Sequence, residues 1–316
     1  MNRRGWILFV TVASLWGAPY LFIKVVVEEL PPVWVALARL LLSVAVLTPI
    51  ALYKGAFRGL RRRIGSLLAL GLAMAVLPFW LIAAGEQHVD SGTAALLVAT
   101  QPVFIVLLGR GTARGSDPAE RLTARRTAGL AVGLAGVAIL ASPTVAGGGA
   151  GLLGAGMVLL GSLSYAVGVL VIRHRFAGCP PLGTTAAAHA MAAVVLIPFG
   201  LIDLPTQGMS INGTVGLVVL GTACTAAAFL SFAALIAASG AARAGVVHFV
   251  SPVVAAVLGV IVLSEPVTLP LAAGSVLVLL GSWLATRSAA TPAAAPREPR
   301  STTEPANRYE GSPSSS

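Results

Sequence analysis

Two basic side chains lie where the chain is otherwise apolar. Arg39 stands seven residues beyond Pro32 in the run PVWVALARLLLSVAVL, and Lys24 lies near the end of the run WILFVTVASLWGAPYLFIKVVV. A guanidinium stays charged and grips a carboxylate through a planar fork. In a helix crossing a bilayer, Arg39 lies about 10 Å deep at 1.5 Å per residue. A charge at such depth costs at least about 2.5–3.5 kcal/mol, so it faces a cavity or a partner. Arg39 therefore reads as a binder of an anionic group. Snorkelling, or pairing with Glu28 or Glu29, is the plainer alternative. Lys24, about three residues from the end of its span, could contact a bound solute, snorkel, or pair with Glu28 one turn on.

Imidazoles titrate near neutral pH. His248, with Ser251 and Pro252 on the same run, and His189 are candidate proton carriers, and each could equally bond a neighbouring helix. His174 sits among Arg173 and Arg175 and reads as surface. Pro102 and Pro252 interrupt apolar runs, and each removes a backbone donor and frees a carbonyl one turn earlier. They are candidate hinges, or kinks of the kind membrane helices tolerate. Gln101 and Ser251, just before them, could bond a solute or the freed backbone. Trp16, Phe79 and Trp80 could wall a cavity, whereas Trp6 and Trp34 suit interfacial belts. Two cysteines, Cys179 and Cys224, exclude a disulfide framework. No metal site is expected, because no histidine pair has ligand spacing. No cofactor is expected.

The elements that must position these residues follow from composition. The chain has 316 residues, 57% of them hydrophobic and only 10% charged, with a mean hydropathy of +0.90. Such a chain cannot cover a water-facing surface. An all-α integral membrane protein is expected, since unbroken apolar runs exclude a barrel. Ten spans are placed near 6–27, 32–53, 64–85, 92–110, 124–141, 151–173, 182–202, 212–237, 244–263 and 269–286. The first reads as an uncleaved signal anchor.

With the N-terminus in the cytoplasm, 19 of the 21 basic residues fall on cytoplasmic segments. The external segments hold Glu28, Glu29, Glu86, Asp90, Asp203 and Glu265 and no Lys or Arg. By the positive-inside rule both termini are cytoplasmic, in a multi-pass plasma-membrane topology. The net charge of +10 then reflects orientation and lipid headgroups, not nucleic acid.

The sequence also repeats. At an offset of 149, Trp16 matches Tyr165, Lys24 matches Arg173, and Pro31-Pro32 matches Pro180-Pro181. At 150, Gly71 matches Gly221, Phe79 matches Phe229, and Pro102 matches Pro252. After a five-residue shift, Glu120-x-x-Thr123 matches Glu265-x-x-Thr268, and Gly129 and Gly136 match Gly274 and Gly281. Each copy holds five spans, an odd number, so the second must enter the membrane inverted. Inverted repeats place a site near the midplane between the halves. The glycine pairs, two turns apart, read as close helix packing away from that site. Glu120 and Glu265 read as helix-end electrostatics.

The stretch Leu15-Trp16-Gly17, Lys24, Pro31-Pro32, Arg39, Pro102, Glu120-x-x-Thr123 and Gly129-x6-Gly136, with its second copy, resembles an EamA domain. Two tandem copies resemble a member of the drug/metabolite transporter superfamily over about residues 6–287. The resemblance implies ten transmembrane helices around a central cavity. It also implies export of amino acids or related small metabolites, downhill or with protons as the coupling ion. The expected partition is a cytoplasmic N-terminus (1–5), a first repeat (6–141), an external Gly-rich linker (142–150), an inverted second repeat (151–287) and a disordered cytoplasmic tail (288–316). The first copy departs by its longer charged loop, Gly111 to Arg121, and the second by having Ala188 and His189 where the first has Arg39. A membrane enzyme of lipid chemistry would need clustered acids, and a channel a polar filter; neither is evident. The expected partners are a small-molecule substrate and the bilayer, for a monomer or homodimer.

Overall fold

The computed structural model describes residues 1–112, 124–146 and 149–286. The charged loop, Glu120 and Thr123, Gly147-Gly148 and the C-terminal tail lie outside the described residues. Within them every regular element is helical. Seven helical stretches are long and apolar enough to cross a membrane, and Thr127–Leu140, Val247–Leu263 and Leu269–Leu284 are apolar but shorter.

In chain order the helices are α1 (Arg3–Gly17), α2 (Pro19–Val27), α3 (Pro32–Tyr53), α4 (Ile64–Gly71) and α5 (Leu77–Gly85). Next come α6 (Ser91–Val98), α7 (Gln101–Thr112), α8 (Ala124–Ala146), α9 (Gly149–Arg175) and α10 (Pro181–Ile202). The remainder are α11 (Ile211–Gly221), α12 (Ala228–Ser239), α13 (Ala241–Ala244), α14 (Val247–Leu263) and α15 (Leu269–Thr286). Their boundaries follow local chemistry. Asn2 and Ser210 accept the N–H of Gly5 and Gly213, capping α1 and α11. Proline opens α2, α3 and α10, where its missing N–H would have no partner in any case.

Several of the runs expected as single spans are interrupted. Pro19 divides the first into α1 and α2. The fourth breaks at Ala99-Thr100, and Pro102 lies in the first turn of α7 rather than inside a continuous helix. A broken helix in an apolar setting must have its carbonyls satisfied. Here Thr100 donates to Leu97 O at 2.6 Å, Ser162 to Val98 O at 3.1 Å and Ser282 to Ala99 O at 2.9 Å. Hydroxyls from α9 and α15 thus hold the break open.

A wider-turn π segment, Leu72–Val76, joins α4 to α5, and another, Thr222–Ala227, joins α11 to α12. Each begins directly after one of the matched glycines. A Cβ on Gly71 would lie 2.7 Å from Ala188 O, and one on Gly221 would lie 3.1 Å from Arg39 O. Only glycine allows these approaches to α10 and α3. The other matched glycines gather between α8 and α15. A Cβ on Gly136 would meet Val278 N at 2.7 Å, one on Gly274 would meet Leu140 Cγ at 2.6 Å, and one on Gly281 would overlap the Gly133 backbone and reach Gly129 O at 2.7 Å. That interface stands apart from the cavity, because neither helix contributes to its wall.

Candidate functional site

A cavity of about 400 Å³ opens among α1, α2, α3, α5, α6, α7, α9, α12 and α14. Its wall is mostly apolar with a few polar groups, the ordinary make-up of a small-molecule site. Residues matched by the repeat meet on this one wall: Trp16 with Tyr165, Phe79 with Phe229, Gln101 with Ser251, and Pro102 with Pro252.

Arg39 reaches the wall from α3 and is 8% exposed. Its Nε donates to Thr225 Oγ1 at 2.7 Å, and its guanidinium carbon lies 3.8 Å from the centroid of Phe79. Thr225 in turn donates to Leu220 O at 2.7 Å, so the π segment supplies the hydroxyl that orients the arginine. Among the described residues no acidic side chain forms an ion pair with Arg39. Tyr165, Cys224, Tyr20 and, from the turn after α5, Glu86 lie within electrostatic reach of it.

Trp16 stacks on His248 with centroids 5.0 Å apart and 25° between planes, and Phe232 and Phe229 meet the same indole. His248 thus packs against α1 and α12 through its ring and also lines the cavity. Pro252 lacks the N–H that would bond the carbonyl of His248, so this carbonyl also lacks its helical donor. His189 differs. It is 2% exposed, its Nδ1 lies 2.9 Å from Ser43 Oγ, and Phe79 and Phe229 meet its ring edge-on. It lines a smaller neighbouring pocket of about 130 Å³ and not the main cavity.

Two expected binders lie elsewhere. Trp80 points outward from α5 and does not line the cavity. Lys24 neither snorkels nor pairs with Glu28. Its Nζ donates to Glu86 O at 2.7 Å and Val89 O at 3.0 Å, clamping the turn between α5 and α6. Trp34, expected in an interfacial belt, donates from Nε1 to Gly200 O at 3.0 Å and ties α3 to α10.

At the end of the bundle carrying Glu29, Glu86, Asp90 and Glu265, two carboxylates sit on helix N-termini, where N–H groups lack intrahelical partners. Glu265 accepts from Ser91 N at 2.7 Å and Gly92 N at 3.1 Å, linking the turn after α14 to α6. Glu29 accepts from Ser210 N at 2.7 Å and Ser210 Oγ at 2.5 Å, linking the turn after α2 to α11. The Ser210 hydroxyl, and then its N–H, lower the Glu29 pKa below the usual carboxylate value. Asp90 moves the other way, raised by burial and by Glu265, against Lys24. Glu86, just beyond α5, is raised well above the ordinary value by burial, with Lys24 opposing. At the opposite, basic end, Arg63 donates to the carbonyl of Arg175.

Sequence reasoning missed Thr225, Tyr20, Phe232 and the burial of Glu86. The repeat already paired Phe229 with Phe79 and Tyr165 with Trp16, and it could have brought both into the site. Thr225 and Glu86 carry no spacing signal.

The profile of the EamA-like transporter family matches residues 3–142 and again 152–287. A transporter of Archaeoglobus fulgidus is 25% identical over 284 residues, covering 90% of this chain and 99% of its own length. The "inner membrane transporter YedA" of Escherichia coli is 32% identical over 250 residues, 78% of each chain. A "probable terminal-alkyne amino-acid exporter" of Streptantibioticus cattleyicolor is 30% identical over 299 residues, covering 91% of this chain and 94% of its own. A solved crystal structure superposes with a TM-score of 0.62 at 19% identity, over 90% of this chain and 98% of that one, which speaks for the fold alone. Both copies of the repeat carry the profile, and the chain belongs to the EamA-like transporter family.

Proposed function

We propose that this protein exports amino acids or related small metabolites by alternating access. Two inverted five-helix halves, 6–141 and 151–287, rock about a shared cavity, with both termini in the cytoplasm. The observation that carries this reading is Arg39, a buried cation on a cavity wall shared by both halves, held by a hydroxyl and a ring rather than by an acid. It is poised to take a substrate carboxylate. Gln101 and Ser251 supply neutral polar contacts, and Trp16 packs the substrate's side chain. Pro102 and Pro252 mark the hinges.

The carboxylate contacts at the acidic end would have to break for the cavity to open there. Lys24 serves that closure rather than the substrate. His248 faces the cavity and is the favoured histidine for proton coupling, while His189 is committed to Ser43. The amino-acid substrate class draws support from relatives named for such export.

Proteoliposomes containing the purified protein and loaded with a labelled amino-acid mixture test this reading. Release of one class of amino acid above empty vesicles, lost in Arg39→Ala, is the expected result. Release equal to that of empty vesicles for every amino acid would overturn the substrate class.

A further inference from the structure

Glu86 is 0% exposed, and neither carboxylate oxygen has a hydrogen-bond partner among the described residues. Lys24, Glu265 and Arg39, the charged side chains that reach it from other elements, are each bonded elsewhere. From α2, Lys24 bonds two backbone carbonyls, including that of Glu86 itself, and Tyr20 lies within electrostatic reach. From the turn after α14, Glu265 is bound to Ser91 and Gly92. From α3, Arg39 is bound to Thr225. His88 and Asp90 follow on the same turn, and α9 meets α5 beside Glu86 through Gly154 and Val158, which do not titrate.

An ionised carboxylate stripped of water and of every donor is strongly disfavoured, whereas the neutral acid loses far less. The location also matters. Ile82, one turn earlier on α5, lines the cavity with Ile23 from α2. Glu86 thus sits one helical turn from the cavity wall and beside the Lys24 contacts of the acidic end.

We propose that Glu86 is a proton-binding site, protonated while the acidic end is closed and deprotonated when that end opens. On opening, the carboxyl O–H bond breaks, the proton passes to water, and the carboxylate left behind faces the Lys24 ammonium. This deepens the proton-coupled reading above and rests on it only for what the proton drives. Occupancy by the proton is measured separately.

The test is infrared spectroscopy of the full chain in liposomes, titrated with protons alone from about pH 5 to 9, where exposed carboxyls are already ionised. Wild type is expected to keep a protonated-carboxyl stretch at neutral pH, and Glu86→Gln to lose it. Absence of the band in wild type, or its persistence in Glu86→Gln, would overturn the proposal. Should Glu86→Gln fail to elute as a folded species, Glu86→Asp is expected to shift the band instead, and an unshifted band would count against the site.

A second readout is thermal. A carboxyl raised by folding contributes stability in full below its unfolded pKa and loses it as pH rises through the folded value. The wild-type melting temperature should fall with rising pH more steeply than that of Glu86→Gln, and parallel slopes would contradict the proposal. If the band behaves as expected but a pH gradient drives no export by wild type, the coupling reading fails and the proton site stands.

Discussion

Arg39 and Thr225 are 186 residues apart in sequence and 2.7 Å apart in space, and their hydrogen bond joins α3 to the π segment after α11. The wider turn turns the Thr225 hydroxyl toward Arg39 while it also satisfies Leu220 O. The arginine is thereby oriented without being neutralised, which leaves its charge for a bound anion.

Replacing Thr225 by valine keeps the shape and removes the acceptor. Hydrogen bonds to charged groups contribute about 1.5–3 kcal/mol. Thr225→Val should therefore raise the half-saturating substrate concentration roughly tenfold to a hundredfold while membrane abundance stays near wild type. Arg39→Lys should fare no better than Thr225→Val, because an ammonium lacks the planar fork. Flux kinetics in vesicles read both, and unchanged affinity in both variants would remove Arg39 from the binding role.

His248 and Trp16 stack on the cavity wall. His248→Ala should retain downhill release but fail to concentrate substrate against its gradient under an imposed pH difference. His189→Ala should lower stability through the lost Ser43 contact and leave the pH response intact. A His248→Ala protein that still concentrates substrate would dismiss this histidine as a coupling group.

Glycine positions separate packing from open space. A Cβ at Gly281 would overlap Gly133, whereas one at Gly156 meets nothing within 4 Å. Gly281→Ala should destabilise by about 1–3 kcal/mol through overpacking. Gly156→Ala should stabilise by about 0.5–1 kcal/mol by restricting the unfolded chain. Opposite shifts in melting temperature in detergent are expected, and equal shifts would contradict the α8–α15 interface.

The Glu29 contact with Ser210 has a definite pH sign. Its pKa is lowered in the folded protein, so its stabilisation is present above the ordinary carboxylate pKa and is lost as pH falls through the folded value. The Glu29–Ser210 contact itself should therefore be insensitive to pH near neutrality and weaken only in acid. Glu29→Gln should loosen that end at neutral pH. A cysteine at Val89, with Cys179 and Cys224 replaced by serine, should then react faster with an impermeant maleimide. An unchanged rate would show that the contact does not hold the end shut.

Much of the fold was legible because a bilayer leaves few options. Unbroken apolar runs must be helices, and prolines and doubled prolines mark where they stop. The matched pairs pointed at the site because repeated residues converge on the wall of one cavity. The partners of charged groups were not legible. Lys24 was weighed against Glu28 by helical spacing, yet it bonds carbonyls 62 and 65 residues away, which no local pattern encodes. The burial of Glu86 depends likewise on α2, α3 and α9 closing over a turn that reads as an ordinary polar loop. Trp80 shows the limit of residue type, since the residue after Phe79 on a helix is turned about 100° from it and here leaves the cavity wall.

The most direct measurement is extracellular metabolite profiling of cells expressing this chain beside cells expressing Arg39→Ala at equal membrane abundance. Accumulation of one amino acid or related acid outside the cells with the intact chain, and not with Arg39→Ala, is the predicted result. Equal accumulation with both chains, or none across a broad panel, would contradict export through an Arg39-centred cavity.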